Sequence, residues 1–256
     1  MSGSLPRAFC RLAALHDSAR WSVLDRGLSR RWPIARCRRG ASRYNDGRNS
    51  YTKGRTMPYL PEAQHTPWQQ SEEVDLTRTA VLVIDVLGGS GGVVPGLEGM
   101  AENAVRIVKA ARKAGVPVVF VNDAHIAGID KEIELWGGHG IAGSDAARPL
   151  DAFEVKKGDF LIPKRRYDGF FQTDLDLTLR ELGVDTLIAF GCDTNICVLQ
   201  TLAGAYFRGY KTVVPADACG TFLVGTQEQG LEYFTRCYDS RVVDTETALG
   251  YLGASA

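Results

Sequence analysis

Short apolar, β-branched runs alternate with longer helical patterns along this chain, and the alternation limits the fold more than any other feature. The expected strands cover 79–87, 116–121, 159–163, 184–190, 212–215 and 241–244. Between them lie helical patterns over 98–114, 173–182, 195–208 and 226–237, and one irregular stretch over 122–157. Such alternation indicates βαβ units. We therefore expect a three-layer α/β/α fold, with a doubly wound, mostly parallel sheet of six strands.

Charge separates the first 56 residues from the rest of the chain. Residues 1–56 carry 13 Lys and Arg against three Asp, whereas 57–256 carry 17 basic and 27 acidic residues. This asymmetry predicts a basic, disordered extension over 1–56 and one domain over 57–256. The extension fits an organelle transit peptide, a basic arm for nucleic acid or an anionic surface, or sequence upstream of a working start at Met57. We favour the third interpretation.

Composition excludes several classes of protein. No apolar run reaches the ~18 residues that a membrane-spanning helix needs. The 45% apolar content is too high for a disordered chain, and six Cys in 256 residues are too few for a disulfide scaffold. Because no secretory signal is present, we expect free thiols and a cytoplasmic protein, with organelle targeting by 1–56 left open.

Three polar side chains follow strands of the predicted sheet, where ligands bind in folds of this kind. Asp85 ends the first strand, Lys164 follows the third, and Cys197 opens the helix after the fourth. Each alone fits a structural role: a capping Asp, a surface cation or a small buried Cys. Together they suit nucleophilic catalysis, since a thiolate at a helix N-terminus needs a base and a nearby cation. Asp85 could also pair with the ammonium of Lys164.

A second group of polar residues follows the second strand. Asp123 and His125 lie two positions apart, so an extended backbone directs both side chains to one side. His139 lies fourteen residues further on. One Asp and two His can bind zinc, iron or manganese and leave positions open for water or substrate. A hydrogen-bonded turn is the alternative explanation of an Asp-x-His sequence.

Three segments resemble those of the isochorismatase-like cysteine hydrolases, a family that includes nicotinamidases and N-carbamoylsarcosine amidases. The segments are VLVIDV over 81–86, KRRYDGF over 164–170 and GCDTNICV over 191–198. The resemblance extends over about 79–252. It implies that Asp85, Lys164 and Cys197 form a catalytic triad. It also implies a cis peptide between Cys192 and Asp193, beside an oxyanion hole that includes the Cys197 N–H.

The resemblance further implies a divalent metal, zinc first and otherwise iron or manganese, and no organic cofactor. Its implied ligands are Asp123, His125 and His139, and the implied substrate pocket contains Trp136 and Tyr167. The loop 87–92 departs from the nicotinamidase pattern because it contains no aromatic residue. N-carbamoyl amino acids and ureido compounds therefore stay alternatives to nicotinamide.

The expected function is a cysteine-dependent amidohydrolase that cleaves a small carboxamide or N-carbamoyl C–N bond through a thioester and releases ammonia. Because the isochorismatase branch of the family often lacks this cysteine, the resemblance with Cys197 present implies C–N hydrolysis rather than vinyl-ether cleavage. An isochorismatase-type or other metal-assisted hydrolase on the same fold is one alternative, and an inactive binding protein is another. The expected partners are a small amide and further copies of the chain, as a dimer or tetramer, rather than a membrane or nucleic acid.

Overall fold

The computed structural model describes Trp68 and residues 73–254. The predicted extension over 1–56, with Cys10 and Cys37, and the proposed start at Met57 lie outside the described residues. The division of the chain into 1–56 and 57–256 therefore stays a prediction.

Six strands form one sheet in which every neighbouring pair is parallel. They are β1 (Thr79–Ile84), β2 (Val118–Asp123), β3 (Phe160–Lys164), β4 (Thr186–Gly191), β5 (Lys211–Pro215) and β6 (Arg241–Val243). Their order across the sheet is β3-β2-β1-β4-β5-β6. The chain thus adds strands outward from β1 on one side and from β4 on the other. The predicted doubly wound parallel sheet is confirmed.

Six α-helices flank the sheet. They are α1 (Glu98–Lys113), α2 (Lys131–Trp136), α3 (Leu175–Glu181), α4 (Leu199–Phe207), α5 (Gln227–Tyr238) and α6 (Thr245–Tyr251). Crossovers between parallel strands are right-handed, so helices on the β1 side and on the β4 side cover opposite faces. Helix α4 packs against α5, whereas α1 packs against α6, which follows the last strand and is not part of a crossover. No helix in the described part of the chain has the length and apolar content needed to cross a membrane.

The core lies on both faces of the central strands. Every residue of β1, β2 and β4 is buried, which explains why these strands are continuous apolar runs rather than alternating ones. Helix α1 buries Met100, Ala104, Ile107 and Ala111 along one face, at the spacing that an amphipathic helix requires. Each large apolar side chain that is fully buried contributes about 1.5–3 kcal/mol.

The structure differs from the predicted elements in several places. Strand β1 ends at Ile84 rather than at 87, because Asp85 has a φ of 50° and breaks the extended backbone. Helix α3 begins at Leu175 rather than at 173, with Asp174 at the N-cap position. Helices α2 and α6 were not predicted. Both are too short to show a clear period.

The strand order reverses between β1 and β4, and the carboxyl ends of these two strands flank a crevice of the kind that binds ligands in such sheets. Gly191 ends β4 with a φ of 139°. A Cβ at Gly191 would lie 1.8 Å from the carbonyl oxygen of Ile84. Only glycine allows the two strand ends to approach this closely.

Candidate active site

The three predicted catalytic side chains meet at this crevice. The Nζ of Lys164 lies 2.6 Å from Oδ2 of Asp85 and 3.6 Å from Sγ of Cys197. The Cys197 sulfur and a carboxylate oxygen of Asp85 lie within 4.8 Å of one another. All three residues are buried, and Lys164 has no exposed surface. A sulfur, an ammonium and a carboxylate from distant chain positions therefore share one site.

Asp123 is also part of this cluster, a contact that sequence analysis missed. Strand β2 lies between β1 and β3, and Asp123 is the register partner of Lys164. The Lys164 ammonium donates a hydrogen bond to Oδ1 of Asp123 as well as pairing with Asp85. The buried cation thus serves two carboxylates. The strand ends alone predict that these groups converge, but this shared contact depends on the strand register.

Backbone contacts hold Asp85 in its unusual conformation. A φ of 50° is uncommon for a residue with a Cβ and is often found at functional sites. The Asp123 N–H donates to Oδ1 of Asp85 at 2.7 Å, and the Cys192 thiol donates to the Asp85 carbonyl oxygen at 3.0 Å. The Asp85 N–H donates to the carbonyl of Val121 at 3.1 Å. These bonds fix the carboxylate relative to Lys164.

Burial and charge set the protonation of the cluster. Burial, together with the Asp123 carboxylate, raises the pKa of Asp85 to about 6. Burial alone would lower the pKa of Lys164, but Asp85, Cys197 and Asp123 raise it well above its ordinary value. Burial also raises the pKa of Asp123, but Lys164 and His125 lower it by more. Lys164 is therefore a permanent cation, whereas Asp85 titrates near neutral pH.

Burial opposes the thiolate that a position at a helix start favours for Cys197. Burial and the Asp85 carboxylate raise the pKa of Cys197 well above its ordinary value, and Lys164 offsets only part of this. Cys197 does lie at a helix start, as predicted, in a π-helical turn (Thr194–Val198) that leads into α4. Its side chain is buried, however. The resting group is a thiol beside a base.

The peptide bond between Cys192 and Asp193 is cis, as the resemblance implied. The Cys192 N–H donates to the carbonyl of Ile84 at 3.0 Å, so it is not free to bind an oxyanion. Burial raises the pKa of the Cys192 thiol, which stays protonated. The side chain of Asp193 accepts hydrogen bonds from the N–H groups of Asn195, Phe222 and Leu223. Asp193 thus connects two loops, which the sequence did not predict.

The three predicted metal ligands also lie together. Nε2 of His125 lies 3.5 Å and Nε2 of His139 lies 3.9 Å from Oδ2 of Asp123. Two ligands at ~2.1 Å from a tetrahedral zinc stand about 3.4 Å apart, so this spacing suits zinc. Gly140 permits it, because a Cβ there would lie 2.5 Å from the Cβ of Asp123.

Hydrogen bonding supports the same fit. Among the described residues, neither ring nitrogen of the buried His125 has a hydrogen-bond partner. Nδ1 of His139 lies 2.8 Å from the Gly137 carbonyl, an arrangement that leaves Nε2 free to bind a metal. Oε2 of Glu132 is also buried without a hydrogen bond in this part of the chain, 3.7 Å from Nε2 of His125. The residues present therefore fit a divalent cation.

A cavity of about 390 Å³ opens onto these groups. Trp136 and Tyr167 line it, and the indole Nε1 donates to the Tyr167 hydroxyl at 2.9 Å. Phe222 and Leu223 also line the cavity and were missed. The sequence feature that could have predicted them is an apolar triplet, 222–224, in the loop after β5. Although the loop 87–92 contains no aromatic residue, the cavity is lined by the aromatic side chains of Trp136, Tyr167 and Phe222.

Cys192, Cys197, Cys219 and Cys237 are free thiols, and Cys237 is exposed. Arg165, next to Lys164 in the chain, pairs with the buried carboxylate of Asp130 at 2.5 Å.

Comparison with known proteins gives the family of this chain. The model of the isochorismatase domain matches residues 79–247. An uncharacterized isochorismatase family protein of Bacillus subtilis, YwoC, is 34% identical over 67% of this chain and 93% of its own length. The ureidoacrylate amidohydrolase RutB of Serratia proteamaculans is 29% identical over 78% of this chain and 89% of its own.

A solved structure shows the same fold. The crystal structure of N-carbamoylsarcosine amidase from Thermoplasma acidophilum has a TM-score of 0.61 and 33% sequence identity. The alignment covers 66% of this chain and 97% of that one.

Proposed function

The chain belongs to the isochorismatase family of hydrolases, and we propose that it is a cysteine-dependent amidohydrolase acting on a small carboxamide or N-carbamoyl compound. The observation that carries this proposal is the contact of Lys164 with both Asp85 and Cys197, at 2.6 Å and 3.6 Å. A thiol with a base and a fixed cation within reach is the arrangement that nucleophilic catalysis requires.

In the first half of the reaction, Asp85 accepts the proton of the Cys197 thiol as the sulfur attacks the amide carbonyl carbon. A C–S bond forms, and the carbonyl oxygen becomes an oxyanion. Because the pKa of Asp85 is raised to about 6, its carboxylate is ionised at neutral pH and basic enough to take the proton. Lys164 orients Asp85 and offsets the negative charge of the sulfur.

The oxyanion then collapses and the C–N bond breaks. Asp85 returns its proton to the leaving nitrogen, so ammonia departs and a thioester to Cys197 remains. Hydrolysis by water, with Asp85 again accepting a proton, releases the acid and restores the thiol. The N–H of Cys197, in the π-helical turn that precedes α4, is proposed to donate a hydrogen bond to the oxyanion. The N–H of Cys192 is already bonded and does not act here.

We propose that Asp123, His125 and His139 hold a divalent metal, and that zinc is the preferred ion. When bound, such an ion would supply Lewis acidity beside the cavity, toward a carbonyl oxygen or a ring nitrogen of the substrate. Asp123 then has two roles, because its Oδ1 binds Lys164 and its Oδ2 faces the two histidines.

The relatives support hydrolysis of a C–N bond. One is named a ureidoacrylate amidohydrolase and one an N-carbamoylsarcosine amidase. These names do not fix the substrate of this chain.

An ammonia-release screen with nicotinamide, N-carbamoyl amino acids and ureido acids tests the proposal, on zinc-loaded and on chelated protein. We expect at least one amide to release ammonia, and alkylation of Cys197 in a Cys237→Ala background, which lacks the exposed thiol, to abolish that release. Undiminished turnover after Cys197 is alkylated would instead favour a metal-directed hydrolase on the same fold.

A further inference from the structure

Asp130 is a buried carboxylate that lies beside the three proposed metal ligands without being one of them. It occupies the N-cap position of α2, but its side chain makes no capping hydrogen bond to this described helix. Instead, its Oδ2 turns back along the chain and accepts a hydrogen bond from the backbone N–H of Ile126 at 2.7 Å. Helix capping therefore does not explain why this carboxylate is buried.

The carboxylate of Asp130 faces the imidazole of His125. Its Oδ2 lies 3.6 Å from Nδ1 of His125, while Nε2 of the same ring lies 3.5 Å from Oδ2 of Asp123. Nδ1 is buried and has no hydrogen-bond partner among the described residues. Because the distance to Asp130 is only slightly longer than a hydrogen bond, a small rotation of the ring closes it. The two ring nitrogens thus face two different carboxylates.

The backbone of His125 is fixed, but backbone bonds do not fix its ring. The His125 N–H donates to the carbonyl of Gly140 at 2.8 Å, which attaches it to the residue after His139. The imidazole can still turn about χ2. A half turn would place a ring C–H against Asp130 and withdraw Nε2 from Asp123. Since a carboxylate prefers an N–H donor to a C–H, Asp130 favours the orientation that is observed.

Arg165 holds Asp130 from the solvent side. Its Nη2 donates to Oδ1 of Asp130 at 2.5 Å and its Nε donates to Oδ2 at 3.0 Å. The side chain of Arg165 is 47% exposed, whereas that of Asp130 is 1% exposed. This two-point contact offsets the cost of burying the carboxylate and fixes its plane. Oδ2 is consequently kept toward His125.

We propose that Asp130 is a positioning residue for the metal site: it accepts a hydrogen bond from the Nδ1–H of His125 and thereby presents Nε2 to a divalent cation. This inference rests on the metal site in the proposed function. A nitrogen that binds a metal cannot carry a proton, so the proton of a neutral His125 must sit on Nδ1. A carboxylate at Nδ1 fixes that tautomer and the direction of the ring. Asp130 is not itself a ligand.

Calorimetric titration of the chelated full-length protein with zinc tests this role without substrate. Asp130→Asn should weaken zinc binding about 10–100-fold. Arg165→Gln is the matched control, because it removes the same ion pair but keeps the carboxylate at Nδ1, and it should lose less than about tenfold. Wild-type affinity in Asp130→Asn, or equal losses in the two variants, would overturn the inference.

Nitrogen-15 NMR of the histidine rings reads the tautomer directly in the zinc-loaded wild-type protein. The His125 signals are assigned by their loss in His125→Ala. We expect the proton on Nδ1, and faster exchange of this proton with water in Asp130→Asn, a change that loss of a purely structural contact would not cause. A proton on Nε2 in the wild-type protein would overturn the inference, also where Asp130→Asn fails to fold.

These measurements separate the possible failures. Zinc affinity and the tautomer are measured without turnover, so they support Asp130 even where the amidohydrolase assignment is wrong. Failure of the wild-type protein to bind zinc would overturn the metal site and this inference together. The role of Cys197 as nucleophile would then still be decided by the ammonia-release screen.

Discussion

The ammonium of Lys164 reaches Asp85 across the end of an intervening strand, with 2.6 Å between Nζ and Oδ2. Neighbouring strands lie about 4.8 Å apart, so only a side chain as long as that of lysine can extend from β3 to β1. On its way it contacts Asp123 at the end of β2. The sheet order therefore explains both why the cation needs a long side chain and why two carboxylates share it.

The rate of the reaction should depend on the ionisation of Asp85. Its pKa is raised to about 6, so the basic form exists above this pH and is lost as the pH falls through it. We expect kcat/KM to fall about tenfold per pH unit on the acid side of this value. Asp85→Asn should be about 10²–10⁴-fold slower and lack this acid limb. A pH–rate profile that is flat through the region would be inconsistent with Asp85 as the base.

Removal of the buried cation should destabilise the fold. Lys164→Met leaves the carboxylates of Asp85 and Asp123 close together without the ammonium that they share. Loss of one member of a buried ion pair costs about 3–5 kcal/mol, measured as the free energy of unfolding in denaturant. The double variant Lys164→Met/Asp123→Asn should recover part of this loss, because one of the two charges is gone. An unchanged free energy of unfolding in Lys164→Met would show that the pair is not buried in solution.

Zinc should bind at the histidines. Titration of chelated protein with zinc in a calorimeter is expected to give one site per chain. His125→Ala or His139→Ala should weaken the zinc affinity by more than about 10–100-fold, which is the loss caused by removing a residue that only hydrogen-bonds to a metal ligand. Asp151→Asn, on an exposed carboxylate outside the cavity, is the control. Equal zinc affinity in the wild-type protein and both histidine variants would place the ion elsewhere.

The close approach of β1 and β4 should tolerate no side chain. In Gly191→Ala the new Cβ would meet the Ile84 carbonyl oxygen at 1.8 Å, with φ at 139°. Gly209→Ala, at a φ of 79° with no atom within 4 Å, has only the backbone cost of about 1–3 kcal/mol. Thermal unfolding should show a much larger decrease in melting temperature for Gly191→Ala. Similar decreases for both variants would mean that the strand ends are further apart than described.

Topology made most of the active site predictable. Parallel strands bring their carboxyl ends to one edge, so Asp85, Lys164 and Cys197 could be placed together from their positions after strands. The proton of Cys197 could not be predicted in this way, because a position at a helix start says nothing about burial. Burial, rather than the helix, dominates the pKa of this thiol.

Contacts that depend on register or on loop paths could not be read from the sequence. The double role of Asp123 follows from its pairing with Lys164 across β2 and β3. The positions of Phe222 and Leu223 follow from hydrogen bonds to Asp193, a residue 29 positions away from Phe222. A loop sequence does not specify such distant partners.

The most direct test of the account compares two cysteine variants on the best amide from the ammonia-release screen. Cys197 is buried beside Asp85 and Lys164, whereas Cys237 is exposed on α5. We predict that Cys197→Ala still binds the amide but loses at least about 10³-fold in kcat, and that Cys237→Ala keeps the wild-type rate. Ammonia release by Cys197→Ala at the wild-type rate would contradict the central claim that this thiol is the nucleophile.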